Sequence, residues 1–299
     1  MEETLIKEFA ELKSKDKVQE FYETTLSILT SALDDMREKN SAITLEYENT
    51  KIFPMGDYTN DTYIDQTGEL EIVIATSNPQ IRVANSTYIK NLRDAKTKKQ
   101  RESVVNKGTF DEIILNLINC LSQYFNETSI LLVVNDGIKI LCLEEYGFKI
   151  LIRFATFSEE DKDAVLSFWN PIQKNIKQVN LFLYNENMTK KDKETKGNYK
   201  KLVRILKNIR KTILVNKWTH SSNLNKYFVE LIAYNIPNAI MQDEDIEVVY
   251  KKAINYLENC NVLNFKSFDN VSKVEDFDLA KVSFTKIKNF LGYISKITF

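Results

Sequence analysis

The chain has 299 residues, 43% of them hydrophobic and 28% charged, which is enough apolar chain for a sizeable core and excludes the disordered and fibrous classes. Lys+Arg 41 against Asp+Glu 42 leaves a net charge of -1, so no global charge drives the chain to nucleic acid or membrane, and only a local patch could. Cys120, Cys142 and Cys260 are widely spaced and make neither a metal pattern nor a disulfide framework; with an acidic start that lacks a signal peptide and no run near the ~18 apolar residues of a membrane span, they point to a cytoplasmic protein.

In chain order, the first 40 residues read as a long helix, with Leu5, Phe9, Leu12, Val18, Phe21, Tyr22, Leu26, Leu29 and Leu33 at three- and four-residue spacings. After Asn40 the period shortens: Ile43, Leu45, Tyr47 and Ile52-Phe53 suggest extended chain running into Pro54 and a turn at Gly56-Asp57. A polar loop then leads to Glu69-Leu70-Glu71-Ile72-Val73-Ile74, a strand that ends before Ser77-Asn78-Pro79. Residues 85–107 are polar and basic, with Lys96, Lys98, Lys99 and Arg101 close together, and read as a solvated helix or loop or as a phosphate-backbone contact. Thr109-Phe110-Asp111-Glu112 is a capping box that opens an amphipathic helix. Strand-like runs follow at 129–134, 138–143 and 148–154, with turns at Asn135-Asp136-Gly137 and Glu145-Tyr146-Gly147, and a further one at 179–184. From Tyr199 onward the periodicity is helical over 199–215, 224–234, 245–258 and 279–297. The expected architecture is α+β: a mixed-sheet lobe with a long N-terminal helix over residues 1–185 and a helical lobe over 186–299.

Glu69 and Glu71 carry the most chemical meaning. Residues i and i+2 of a strand share a face, so the two carboxylates stand side by side while Leu70, Ile72 and Ile74 point to the other face. Paired carboxylates either line a solvated strand face or hold divalent metal over a phosphate, since Mg²⁺ takes a few carboxylates and completes its shell with water and nucleotide oxygens.

The order of leading helix, glycine turn, acidic strand, helix, further strands and helical lobe resembles the nucleotidyltransferase superfamily of the polymerase-beta type, and within it the bacterial relatives of oligoadenylate synthase and cyclic GMP-AMP synthase. Gly197-Asn198-Tyr199-Lys200-Lys201-Leu202-Val203-Arg204-Ile205-Leu206-Lys207 is similar to the family's spine helix, and Tyr227-Phe228-Val229-Glu230-Leu231-Ile232-Ala233-Tyr234 to the helix after it. The resemblance implies nucleotide binding at Gly56, Asp57, Lys207 and Tyr227: the turn holds the triphosphate, Lys207 contacts it and Tyr227 stacks on the base. It implies Mg²⁺ or Mn²⁺ on Glu69 and Glu71. For Lys207 and Tyr227 the alternatives are a solvated basic face and a plain core tyrosine; for Lys200 and Arg204 the solvated face is the expectation. His220, the only histidine, makes no triad or metal site and reads as an exposed loop residue.

Three positions depart from the family pattern. Its Gly-Ser turn is here Gly56-Asp57, which sets a carboxylate where an anion should bind. Its Asp-x-Asp is Glu69-Leu70-Glu71, each arm one methylene longer. The third acid, expected on the strand over 148–154, is missing, and Lys149 and Arg153 bring positive charge there; loss of such a general base costs a factor of roughly 10² to 10⁴. The chain therefore reads as a catalytically degenerate nucleotidyltransferase-like protein acting as a module that binds nucleotide, nucleic acid or a protein partner. The alternative is an active metal-dependent enzyme moving a nucleoside monophosphate from a triphosphate to a hydroxyl acceptor, with Glu69 and Glu71 as catalytic metal ligands. An unrelated α+β interaction domain is the third reading; a sheet that fails to set residues 69–75 beside 148–154 would reveal it.

Overall fold

The computed structural model describes residues 3–12, 14–39, 50–64, 69–77, 110–135, 138–145, 148–157, 165–170, 175–215, 224, 226–268 and 280–294. It divides into two compact units, one of Ser14–Thr59 and Asp65–Phe182, the other of Met1–Lys13, Asn60–Ile64 and Leu183–Phe299.

The first unit is a sheet with helices. Helix α2 (Lys15–Lys39) is followed by strands β1 (Thr50–Gly56) and β2 (Glu69–Thr76), helix α3 (Phe110–Leu121), and strands β3 (Ile130–Asn135), β4 (Ile138–Glu145), β5 (Phe148–Phe157), β6 (Val165–Asn170) and β7 (Asn175–Asn180). The strand order is β1-β2-β5-β4-β3, with β6 pairing β5 and β7. Only β2 and β5 among these pairs run parallel, from Glu69 opposite Lys149 to Thr76 opposite Thr156. The sheet thus sets the acidic strand beside the strand over 148–154, as the mixed-sheet expectation requires and the unrelated-domain reading forbids. Leu70, Ile72, Val73, Ile74 and Ala75 are all fully buried, so β2 is covered on both faces, which is why its apolar residues run together instead of alternating. Helix α2 packs on α3. Val18, Phe21, Leu29 and Leu33 face the core from α2, and Ile114, Leu117 and Leu121 from α3.

The second unit is helical: α1 (Glu3–Ala10), α4 (Leu181–Glu194), α5 (Asn198–Val215), α6 (Lys226–Tyr234), α7 (Ile246–Asn259) and α8 (Ala280–Ile294). Its core centres on α5, whose Leu202, Val203, Ile205, Leu206 and Ile209 are buried, with α1 packed against α5 and α7. Asp245 caps α7, its side chain accepting from the Glu247 N–H at 3.0 Å.

Three expectations change. The leading helix is two helices, because Ser14 takes φ +55 and starts a new one. The run 179–184 is not a strand: β7 ends at Asn180 and α4 begins at Leu181, since Leu181, Tyr184 and Met188 recur at helical spacing and each is buried. Strand β6, which precedes it, was hidden by the Trp169-Asn170-Pro171 turn signal. The segment over 40–49, the basic run over 85–107, Cys142's side chain and His220 lie outside the described residues.

Candidate functional site

Gly56 closes β1 at φ +77, a conformation that any L side chain strains. Its position has a second demand, since a Cβ there would lie 3.4 Å from the Glu71 side chain, whose residue faces Met55 across the β1–β2 ladder. Gly56→Ala is expected to cost about 1–2 kcal/mol, mostly through φ, because 3.4 Å is tolerable contact; thermal melting checks it. Asp57 follows with only 4% of its surface exposed, so the carboxylate of the turn is buried. Tyr22 of α2 stacks on Tyr58 at 4.0 Å and donates its hydroxyl to the Glu71 backbone carbonyl at 3.0 Å. Burial, then Tyr58, pushes the Tyr22 phenol far above its ordinary range, so it stays a donor and fixes the acid strand to the helix.

Glu69 opens β2 opposite Lys149, and its side chain lies outside the described residues. Glu71 is buried, and it is paired. Arg153 stands opposite Val73 on β5, hence on the same face as Glu71 two residues away, and its Nη2 donates to Glu71 Oε1 at 3.2 Å while Nε sits 3.2 Å from Oε2, too far off line for a second hydrogen bond. The guanidinium thus addresses both oxygens of the carboxylate.

In the helical unit, Lys207 is neither solvated nor open. It is 3% exposed and donates to Glu230 Oε1 at 2.6 Å, to Thr62 Oγ1 at 3.1 Å and to the Thr62 carbonyl at 3.1 Å. Glu230 also accepts from Thr62 Oγ1 at 3.1 Å and from the Tyr184 hydroxyl at 2.7 Å. Lys200 bonds Asp61 Oδ2 at 3.1 Å, and the buried Arg204 donates to the carbonyls of Ala10 and Asp61, both at 2.7 Å. The solvated face expected for Lys200 and Arg204 is therefore absent: this row of α5 grips residues 61 and 62. Tyr227 is half-buried in an aromatic cluster, edge-on to Phe228 at 5.7 Å and to Phe268 at 5.3 Å, with its hydroxyl 3.5 Å from Ser267 Oγ.

Residues 186–296 match the model of the cGAS/DncV-like nucleotidyltransferase C-terminal helical domain. The structure of the Rhodothermus marinus CdnE c-UMP-AMP synthase with Apcpp and Upnpp superimposes with a TM-score of 0.67 at 17% identity, covering 99% of this chain and 96% of that one. The chain belongs to the nucleotidyltransferase superfamily. Among curated nucleotidyltransferase relatives, a cyclic UMP-AMP synthase of Rhodothermus marinus is 22% identical over 256 residues, 83% of this chain and 84% of its own. The cyclic nucleotide synthase CdnE01 of Staphylococcus haemolyticus is 25% identical over 236 residues, 70% of this chain and 73% of its own.

A nucleotidyltransferase of this type implies a divalent metal on the strand acids, and Glu71, the one of the two whose side chain is described, does not fit one as it stands. Glu71 is engaged by Arg153, a cation that the neighbouring strand presents on the same face. Glu230, Thr62 and Tyr184 were missed in the sequence; a lone acid inside the apolar run Val229-Glu230-Leu231-Ile232 was the available signal, because a buried carboxylate requires a partner.

Proposed function

We propose that this nucleotidyltransferase-fold protein does not carry out metal-dependent nucleotidyl transfer and serves as a binding module, with nucleotide as the ligand class the fold favours and nucleic acid or a protein partner as the other candidates. The observation that carries this reading is the Arg153–Glu71 pair. Transfer of a nucleotidyl group between hydroxyl and triphosphate needs cationic charge placed on the phosphates and a base near the attacking hydroxyl. A carboxylate already neutralised by guanidinium offers little of either, and Arg153 cannot accept a proton. Asp57 in the turn adds negative charge beside the place where a triphosphate would lie. Cys120 and Cys260, neither of them in a disulfide, suit a reducing, cytoplasmic setting, and the described residues include no helix long and apolar enough to cross a membrane. The relatives named above favour a bacterial source.

Incubation with labelled nucleoside triphosphates and Mg²⁺ or Mn²⁺ is expected to give no linear or cyclic product, while equilibrium binding of the same nucleotides persists in EDTA. Turnover that disappears when Glu69 and Glu71 become Ala would overturn the reading.

One observation favours a second reading, an active synthase using Glu69 and Glu71 as metal ligands: the curated relatives are cyclic nucleotide synthases matched over most of their length. It requires Arg153 to leave Glu71 when metal arrives.

A further inference from the structure

A carboxylate as deeply buried as Glu71, 3% exposed, has to be neutralised by some cation. Met55 faces Glu71 from β1, and Leu151 faces it from β5 with 7% exposure, so both cross-strand neighbours are apolar. Gly56 contributes no side chain, and its missing Cβ leaves only contact distance to the Glu71 arm. A cation comes from Arg153, two residues further along β5, through Nη2 and Nε at 3.2 Å each. A guanidinium is permanently protonated, planar and matched to a carboxylate, and its side chain here is 24% exposed against 4% for Glu71, so it seals the acid from the solvent side.

We infer that Arg153 is a built-in cation standing where a divalent metal would have to bind Glu71, and that this strand face is a latent metal site which Arg153 keeps closed. The inference rests on the reading of the chain as catalytically degenerate, with the Arg153 guanidinium as the group that closes the site and its removal as what reopens it. Metal and guanidinium compete for the same two oxygens, so Mg²⁺ or Mn²⁺ must displace a buried ion pair before it can ligate. Removing the guanidinium leaves an uncompensated acid that seeks a cation. Putting a carboxylate on the Arg153 backbone position supplies a second ligand on the same face, two residues out of register with Glu71 across a parallel ladder, where a small cation can bridge the arms.

The test is Mn²⁺ titration of the full chain, reading free Mn²⁺ by electron paramagnetic resonance, with the fold monitored by circular dichroism. Wild type is expected to bind no Mn²⁺ through Glu71, so that wild type and E71Q titrate alike. R153D is expected to bind at least tenfold more tightly than wild type, and R153D/E71Q to lose that gain. Because R153D sets two acids together and can fail to fold, R153A provides an independent arm: it is expected to melt below wild type and to recover with millimolar Mn²⁺, while wild type does not respond. Equal Mn²⁺ affinity in wild type and R153D, Glu71-dependent binding in wild type, or a folded R153A that Mn²⁺ does not stabilise would each overturn the inference. If wild type shows no nucleotide turnover and the variants gain no Mn²⁺, this inference fails and the degenerate reading stands; turnover by wild type overturns that reading itself.

Discussion

Glu230→Ala is expected to lower the melting temperature by roughly 10 °C, corresponding to about 3–5 kcal/mol lost from the helical unit. The size follows from what the substitution strands. Lys207 and Glu230 are each 3% exposed and meet at 2.6 Å, so deleting the carboxylate leaves the Lys207 ammonium in the core without its ion-pair partner, next to the Thr62 carbonyl and hydroxyl. The Tyr184 hydroxyl, which donates to the other oxygen at 2.7 Å, loses its acceptor as well. Breaking a buried pair from one side is far costlier than replacing both partners by apolar groups, because the cost lies in the uncompensated charge. The double variant Lys207→Met/Glu230→Leu is therefore expected to recover at least half of the loss. A loss under about 1 kcal/mol in Glu230→Ala would mean that water reaches Lys207 and that the pair is not dry. Thermal and urea melts of the single and double variants decide between these.

The same pair shows what could and could not be read from the sequence. Helical spacing gave α5, α6, α7 and α8 with ends within a few residues, because each presents a clear apolar face such as Leu202, Leu206 and Ile209. The Gly56 turn and the strand of Glu69 and Glu71 were legible as well, and so was the adjacency of β2 and β5 through the family resemblance. Pairing was not. Nothing in the spacing of Lys200, Arg204 and Lys207 says that they close on Asp61 and Glu230, since contacts 23 to 143 residues apart are made by the fold and not by local pattern. Arg153 was legible as a wrong charge in the strand, yet only the parallel register, with Val73 opposite Arg153, puts its guanidinium on Glu71. The misread 179–184 run has the opposite cause: six apolar and polar residues suit a strand as well as the first turn of α4, and the helical partner Met188 lies beyond that window.

Raising the pH from 8 toward 10 is expected to stabilise the helical unit, against the usual trend for a globular protein. Lys191 is the source. Its ammonium is buried, donating to the Ile236 carbonyl at 2.8 Å and to Asn238 Oδ1 at 2.7 Å, with the Tyr234 ring 5.4 Å away. Burial, opposed by the nearby Glu194, brings its pKa from 10.5 down to about 8. Below pH 8 the lysine is charged in both folded and unfolded chain, and the folded state carries the full cost of the dehydrated charge. Between 8 and 10.5 the unfolded chain keeps a proton that the folded chain has released, so it binds more protons and stability rises with pH. The whole rise is on the order of 3 kcal/mol. Buried phenols act in the other direction. Tyr199, raised by burial and then by Glu230, and Tyr250, raised by burial, stay protonated in the folded chain while their unfolded counterparts ionise, so stability falls once the pH passes the ordinary phenol value of 10.0. The melting temperature is expected to pass through a maximum near pH 10. Lys191→Met should remove the rise between pH 8 and 10 and leave the fall above it. A wild-type curve flat over that interval, or a Lys191→Met curve with the same slope as wild type, would place the ammonium in water and not in the core.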